Sequence, residues 1–237
     1  MGRLLRSSSA CVIVTVVLTT LLVPAPARAQ TYTLGIDVSH HQGPIDWQAV
    51  ADSGHVFAFA KATEGATHTD TRYDANRAGA AAADIPFGAY HFAFPQGETL
   101  ALARADASSE AQHFLTVAAP APGDLVPVLD LERTNGLPSR RLIAWAQTWL
   151  DSVRSALGVQ PLIYSGPHFW ETNMADTTTF AEQGFPLWIA HYTGEPAPRT
   201  PAANWAGNGW SFWQWTNCAE IPGIDGCVDE DKFPGSD

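Results

Sequence analysis

Asp130 and Glu132 stand one residue apart, directly after the apolar run Val126-Pro127-Val128-Leu129. In an extended chain, residues i and i+2 point to one face, so the two carboxyls would lie roughly 7 Å apart along the strand. Carboxylates that close raise each other's proton affinity. One of them can then stay protonated near neutrality, which is what acid-assisted cleavage of a glycosidic bond needs. A D-x-E tripeptide is common, and the bland alternative is a solvent-facing acidic turn before Arg133-Thr134-Asn135. Two further acids fall in similar places. Asp37 stands last but one in the run 34–38, and Asp229 lies in the last strand candidate, 227–233.

Aromatic residues supply a second clue. Trp205, Trp210, Trp213 and Trp215 crowd the C-terminal third, and the C–H faces of sugar rings stack on aromatic rings. In a strand, Trp213 and Trp215 share a face, with Gln214 opposite. His91 and His191 fall at or just past strand ends and could touch a ligand. Tyr90, His91, Tyr164, Trp188, Trp213 and Trp215 are the candidate substrate contacts. No metal or cofactor is expected. The neighbours His40 and His41 diverge if they lie in a strand, and HExxH is absent. Nucleophilic serine chemistry lacks its GxSxG elbow.

These residues need elements to hold them. Short apolar runs at 34–38, 56–61, 87–92, 126–131, 161–164 and 187–190 read as strands buried on both faces. Helical patterns fill the gaps at 45–52, 72–83, 99–117, 139–157 and near 167–175. The clearest is 139–157, where Leu142, Ala146, Trp149 and Val153 keep helical spacing, Ser139 is placed to cap the start and Gly158 follows the end. After residue 190 no long helix is expected, and 211–216 and 227–233 read as closing strands. Repeated strand–helix alternation implies an α/β fold with a parallel sheet. No GxGxxG follows a strand, which removes the main support for a dinucleotide fold. The preferred architecture is one single-domain barrel of five βα units with a helix-poor last section. In such a barrel the reacting groups come from the C-terminal ends of the strands. Pro127 cannot donate to a ladder, so it must stand at the beginning of its strand.

The chain has 237 residues with a formal charge of −11, which disfavours nucleic acid as a partner because phosphate binding needs Lys and Arg. Arg3 and Arg6 precede an apolar run at 10–23 that is short for a membrane span, and Ala27-Arg28-Ala29 is a small-x-small site. Residues 1–29 therefore read as a signal peptide and 30–237 as the catalytic barrel. The mature protein is expected to be secreted, monomeric and free of the membrane. Three of the 13 basic residues and none of the 24 acidic ones lie in 1–29, so the remainder carries −14. That charge opposes approach to an anionic polymer, so activity on such a substrate should gain from moderate salt or a pH below neutral. Cys218 and Cys227 are the cysteines left, and in an oxidising compartment they should pair.

Taken in order, the segments Gly35-Ile36-Asp37-Val38-Ser39-His40-His41-Gln42-Gly43, Lys61-Ala62-Thr63-Glu64-Gly65, Gly88-Ala89-Tyr90-His91-Phe92, Pro127-Val128-Leu129-Asp130-Leu131-Glu132, Leu187-Trp188-Ile189-Ala190 and Phe212-Trp213-Gln214-Trp215-Thr216 resemble glycoside hydrolase family 25. These are the Chalaropsis-type lysozymes, or N-acetylmuramidases. The resemblance spans residues 34–233. It implies a TIM-like (β/α)5β3 barrel that hydrolyses the β-1,4 bond between N-acetylmuramic acid and N-acetylglucosamine in bacterial peptidoglycan. It also implies Glu132 as general acid, with Asp130, Asp37 and a C-terminal aspartate beside it. Asp229 fits the last role, and Asp225 lies close enough to compete for it. The three aspartates are expected to keep Glu132 protonated while they stay charged. The family's chemistry admits either the substrate's acetamido oxygen or an aspartate as nucleophile. A catalytically silent peptidoglycan-binding module and a hydrolase of another amino-sugar polymer, such as chitin, are the competing functions.

Overall fold

The structure, a computed structural model, describes residues 1–2 and 31–235. The expected signal segment lies almost wholly outside the described residues. Among those described, no helix is long and apolar enough to cross a membrane.

The order of elements follows the apolar runs. Strand β1 (Tyr32–Val38) leads through a 3-10 turn (His40–Gln42) to α1 (Trp47–Asp52). Then come β2 (Ala58–Glu64), the two-residue β3 (His68–Thr69), α2 (Tyr73–Ala82), β4 (Phe87–Phe92), α3 (Leu100–Ala118), β5 (Val128–Asp130) and α4 (Ser139–Leu157). Strand β6 (Leu162–Ser165), α5 (Pro167–Asn173), α6 (Thr179–Glu182) and β7 (Leu187–Ala190) follow. A six-residue turn (Pro201–Ala206), left-handed from Ala202 onward, precedes β8 (Phe212–Ala219) and β9 (Val228–Pro234).

Eight strands close into a barrel in the order β1-β9-β8-β7-β6-β5-β4-β2, with β2 pairing back to β1 and β3 appended to β2. From β1 through β2, β4, β5, β6, β7 and β8 the neighbours are parallel; β9 runs antiparallel to both β8 and β1. This is five βα units closed by three strands, as expected. β8 and β9 form a hairpin whose loop is closed by the Cys218–Cys227 disulfide.

Two apolar layers hold the barrel. Inside, Phe57, Phe59, Trp188 and Phe212 plug it, with Phe59 and Trp188 ring centroids 4.7 Å apart. Gly35 and Gly88 leave room for the plug, because a Cβ there would run into the rings of Phe57 and Phe59. Outside, the helices bury their apolar stripes against the sheet. On α4 the buried residues are Leu142, Trp145, Ala146, Trp149, Leu150 and Val153, and Gly158 ends the helix with a left-handed φ of 70°. Ser139 does not cap α4. It is the first helical residue, and the cap position belongs to Pro138. Strand β5 is shorter than expected because Pro127, with no N–H, contributes only its carbonyl, which accepts from Leu162 N at 2.8 Å. The turn at His40–His41 also departs from expectation. The two rings do not diverge; their centroids are 4.0 Å apart.

His91 is the largest departure. It neighbours Tyr90 on β4, so it faces the opposite side, into the layer between sheet and helices. It is fully buried, stacked on Trp149, with Nδ1 2.7 Å from Thr63 Oγ1 and Nε2 2.8 Å from Glu110 Oε2. Burial pushes Glu110 up to about 8 and His91 down to about 3, so a carboxylic acid meets a neutral imidazole. Glu110 Oε2 also accepts from Phe94 N at 3.1 Å, anchoring the loop that follows β4.

A carboxyl whose folded-state pKa is raised stabilises most below its ordinary value, and that stability is lost as pH rises through the folded-state pKa. The melting temperature of the wild type, minus that of Glu110→Gln, should therefore fall steadily between about pH 5 and about pH 8. A pH-independent difference in thermal denaturation would rule out the buried acid.

Candidate active site

The parallel strands all point their C-terminal ends at one mouth, where a cleft of about 230 Å³ opens. Strand alternation decides what enters it. On β1, Ile36 and Val38 pack outward and Asp37 points in; on β5, Leu129 and Leu131 pack outward and Asp130 points in. Glu132, just beyond β5, completes the D-x-E pair at the cleft's exposed rim. Asp229, the second residue of β9, reaches the cleft directly opposite Asp37 in the strand register. Asp225 lies in the exposed hairpin loop, away from the cleft. Asp37, Asp130, Glu132 and Asp229 are thus brought together, with Tyr90, Tyr164 and Trp188 around them.

Three expected contacts are not there. His91 is in the outer core, as described. Trp213 faces the same outer layer, buried, with Nε1 donating to His191 O at 2.8 Å. Trp215 packs against that layer too, under Lys232 Nζ at 3.9 Å from its ring centroid. The alternation around Gln214 was as expected, but the tryptophans take the outside and the amide takes the cleft. His191 also stays off the cleft; its Nδ1 accepts from Arg199 N at 3.0 Å.

Gln214 is the residue that the sequence undervalued. Its Oε1 accepts from Tyr164 OH at 2.9 Å and from Tyr192 OH at 2.6 Å, which turns its amide so that Nε2 donates to Asp37 Oδ2 at 2.6 Å. Asp231 is the other. It is fully buried two residues after Asp229, and its Oδ1 accepts from Trp188 Nε1 at 2.8 Å. Among the described residues its Oδ2 has no donor, and its neighbour is the carboxyl of Asp37. Burial and neighbouring charge raise both carboxyls well above the ordinary range, and two carboxyl groups can hydrogen-bond only through a proton, so a proton shared between Asp37 and Asp231 is the expected outcome.

Burial is the largest influence on every acid here. It raises Asp37 and Asp130 well above the usual carboxylate range, Asp37 further through Asp229 and Asp231, and Asp130 further through Glu132. Asp229 is raised to about 6 by burial and by Glu132. Glu132 is raised as well, by burial, with Arg133 and Lys61 pulling the other way. The proton is therefore not confined to Glu132, as the sequence suggested. Burial raises the neighbouring aspartates too, so they compete with Glu132 for protons.

A sequence profile described as "Glycosyl hydrolases family 25" matches residues 36–224. The chain belongs to that family. Among family-25 relatives, Lysozyme M1 of Streptomyces globisporus is 33% identical over 211 residues, covering 85% of this chain and 68% of that protein. The N,O-diacetylmuramidase of Chalaropsis sp is 28% identical over 214 residues, covering 84% and 96%. The crystal structure of the bacterial lysozyme from Streptomyces coelicolor superposes with a TM-score of 0.78 at 32% identity, covering 87% of this chain and 94% of that one.

Replacing Asp231 by Asn leaves an oxygen for Trp188 and supplies an N–H for Asp37. The variant should fold, and its infrared spectrum at neutral pH should lack one protonated-carboxyl C=O band. Asp231→Leu strands both partners and should cost about 1–3 kcal/mol in denaturant unfolding. An unchanged carboxyl band in the Asn variant would disprove the shared proton.

Proposed function

We propose that this protein is a secreted, monomeric muramidase that hydrolyses the β-1,4 bond between N-acetylmuramic acid and N-acetylglucosamine in bacterial peptidoglycan. Family membership supports the reaction class, and the convergence of Asp37, Asp130, Glu132 and Asp229 on one cleft carries the reading. The composition of residues 1–29 supports export.

Glu132 is the general acid. It stands at the rim, where the leaving oxygen of a bound glycan is within reach, and its proton affinity is already raised. A glycan lying in the cleft excludes water from Glu132 and raises it further. Asp130, on the same side of the cleft, orients the reacting sugar, and the residual negative charge of the cluster stabilises the oxocarbenium-like transition state. Gln214, held by Tyr164 and Tyr192, fixes Asp37 beneath.

Incubated with purified cell walls, the wild type should release reducing ends that borohydride converts to the muramic-acid alditol. Alditols of N-acetylglucosamine would contradict the assignment, and no new ends at all would leave only a binding module. Glu132→Gln should lower the rate by about 10²–10⁴-fold with its circular dichroism unchanged. Asp130→Asn should be severely impaired and Asp229→Asn less so. Asp229 acts as an anion, so its protonation should cut activity as pH falls through about 6. That acidic limb should weaken in Asp229→Asn. A limb of the same shape in the variant would assign it to another group.

A further inference from the structure

Charge is unevenly spread around the cleft. Its β1–β9 side carries Asp37, Asp229 and, beneath them, Asp231. The opposite side carries Lys61, from the middle of β2, in the cleft wall, and Arg133 stands just behind that wall, three residues past the end of β5 and next to the cleft residue Glu132. Both lie over the ring of Phe92, itself a wall of the cleft, with Lys61 Nζ 4.6 Å and Arg133 Cζ 4.8 Å from its centroid. The two cations are not equivalent. Lys61 is buried and paired with Glu64. Arg133 is exposed, and among the described residues no carboxylate lies in ion-pair reach of its guanidinium. The Phe92 ring lies within cation–π distance of the guanidinium, and among the described residues no hydrogen bond or ion pair occupies its fork of N–H donors. That fork follows Glu132 directly in the chain and acts on both reacting carboxyls, lowering the proton affinity of Glu132 and Asp130.

An arginine held this way beside an acid-rich centre suits an anionic substituent on the substrate. N-Acetylmuramic acid differs from N-acetylglucosamine only by a lactyl ether at O3, which adds one carboxylate. The acidic floor of the cleft repels that carboxylate, and Lys61 is already neutralised. A guanidinium fork matches a carboxylate through two parallel hydrogen bonds.

We propose that Arg133 is the specificity-determining contact for the lactyl carboxylate of the sugar whose glycosidic bond is cut, so that this cleft selects muramic-acid glycans over chitin. The inference rests on the muramidase reading above and adds to it the group that recognises the acid. A different role would be purely electrostatic, with Arg133 tuning the carboxyls of Glu132 and Asp130. That role moves the pH profile but does not discriminate between substrates.

The test compares peptide-free oligomers of alternating N-acetylmuramic acid and N-acetylglucosamine with the same oligomers methyl-esterified at the lactyl group, and with chitin oligomers. Charge-assisted hydrogen bonds of this kind correspond to roughly 10- to 100-fold in kcat/KM. The wild type should lose about that much on esterification. Arg133→Gln should show the same loss on the free acid, mainly in KM, and on the ester only the smaller, pH-dependent change that follows from its effect on Glu132 and Asp130. Arg133→Lys, which keeps the charge but not the fork, should recover part of it. Equal losses on acid and ester in Arg133→Gln, or a shifted pH profile with the acid-to-ester ratio intact, would overturn the proposal. So would a wild type that cleaves acid and ester equally well, which leaves the muramidase reading standing. A wild type that cleaves only chitin oligomers, or nothing, would sink both.

Discussion

Five carboxyl groups crowd the mouth of one small barrel, and most of the surrounding structure is a response to that crowding. Like charges in a low-dielectric site cannot all ionise. Burial and neighbouring charge raise Asp37 and Asp231 well above the ordinary carboxylate range, and burial raises Asp130, Glu132 and Asp229 as well. Neutral donors then fix the carboxyls without cancelling their charge. Trp188 Nε1 holds Asp231, and Gln214 Nε2 holds Asp37. A cation at either place would have formed a local ion pair and drained the field that the reaction uses.

The crowding is a product of topology. Asp37 and Asp130 come from parallel strands, where the C-terminal ends already face the cleft. Asp229 and Asp231 come from β9, which runs antiparallel and so delivers the start of its strand to the same mouth. The helix-poor closing hairpin, tied by Cys218–Cys227, is the device that adds a third source of acid. Below the mouth, the plug of Phe59, Trp188 and Phe212 keeps the floor dry, which is why burial dominates every shift. On the far side of β4, the neutral Glu110–His91 pair pins the loop after Phe92. The cation-bearing side of the cleft therefore rests on a rigid support.

Much of this was legible in the chain. Apolar runs marked the barrel strands to within a few residues, and D-x-E after such a run marked the centre of the site. What periodicity could not show was which face of a strand is the inside. Tyr90 and His91 are adjacent, so one had to face the cleft and the other the helices, and nothing local distinguished them. The same ambiguity placed Trp213 and Trp215 in the cleft and Gln214 outside it, the reverse of the structure. One signal was present. An amide flanked by two tryptophans in a buried strand needs a polar partner, and the acids lining the mouth are the nearest supply. Asp231 was concealed by Asp229, because two acids at i and i+2 read as one motif until the closing strand shows both pointing inward. The close pair of His40 and His41 rings was missed because the two residues were weighed as strand neighbours, whereas Ser39 caps a 3-10 turn that holds both.

The central claim is that burial within a shared cluster, and not any single neighbouring charge, sets the proton affinities of these carboxyls. Carbon-13 NMR titration of the protein labelled at its Asp and Glu carboxyls measures this directly. Asp229 should titrate near 6, with Asp37 and Asp130 well above the ordinary carboxylate range and the curves of neighbours visibly interdependent. Independent titrations of all of them close to the ordinary value of about 4 would contradict the account.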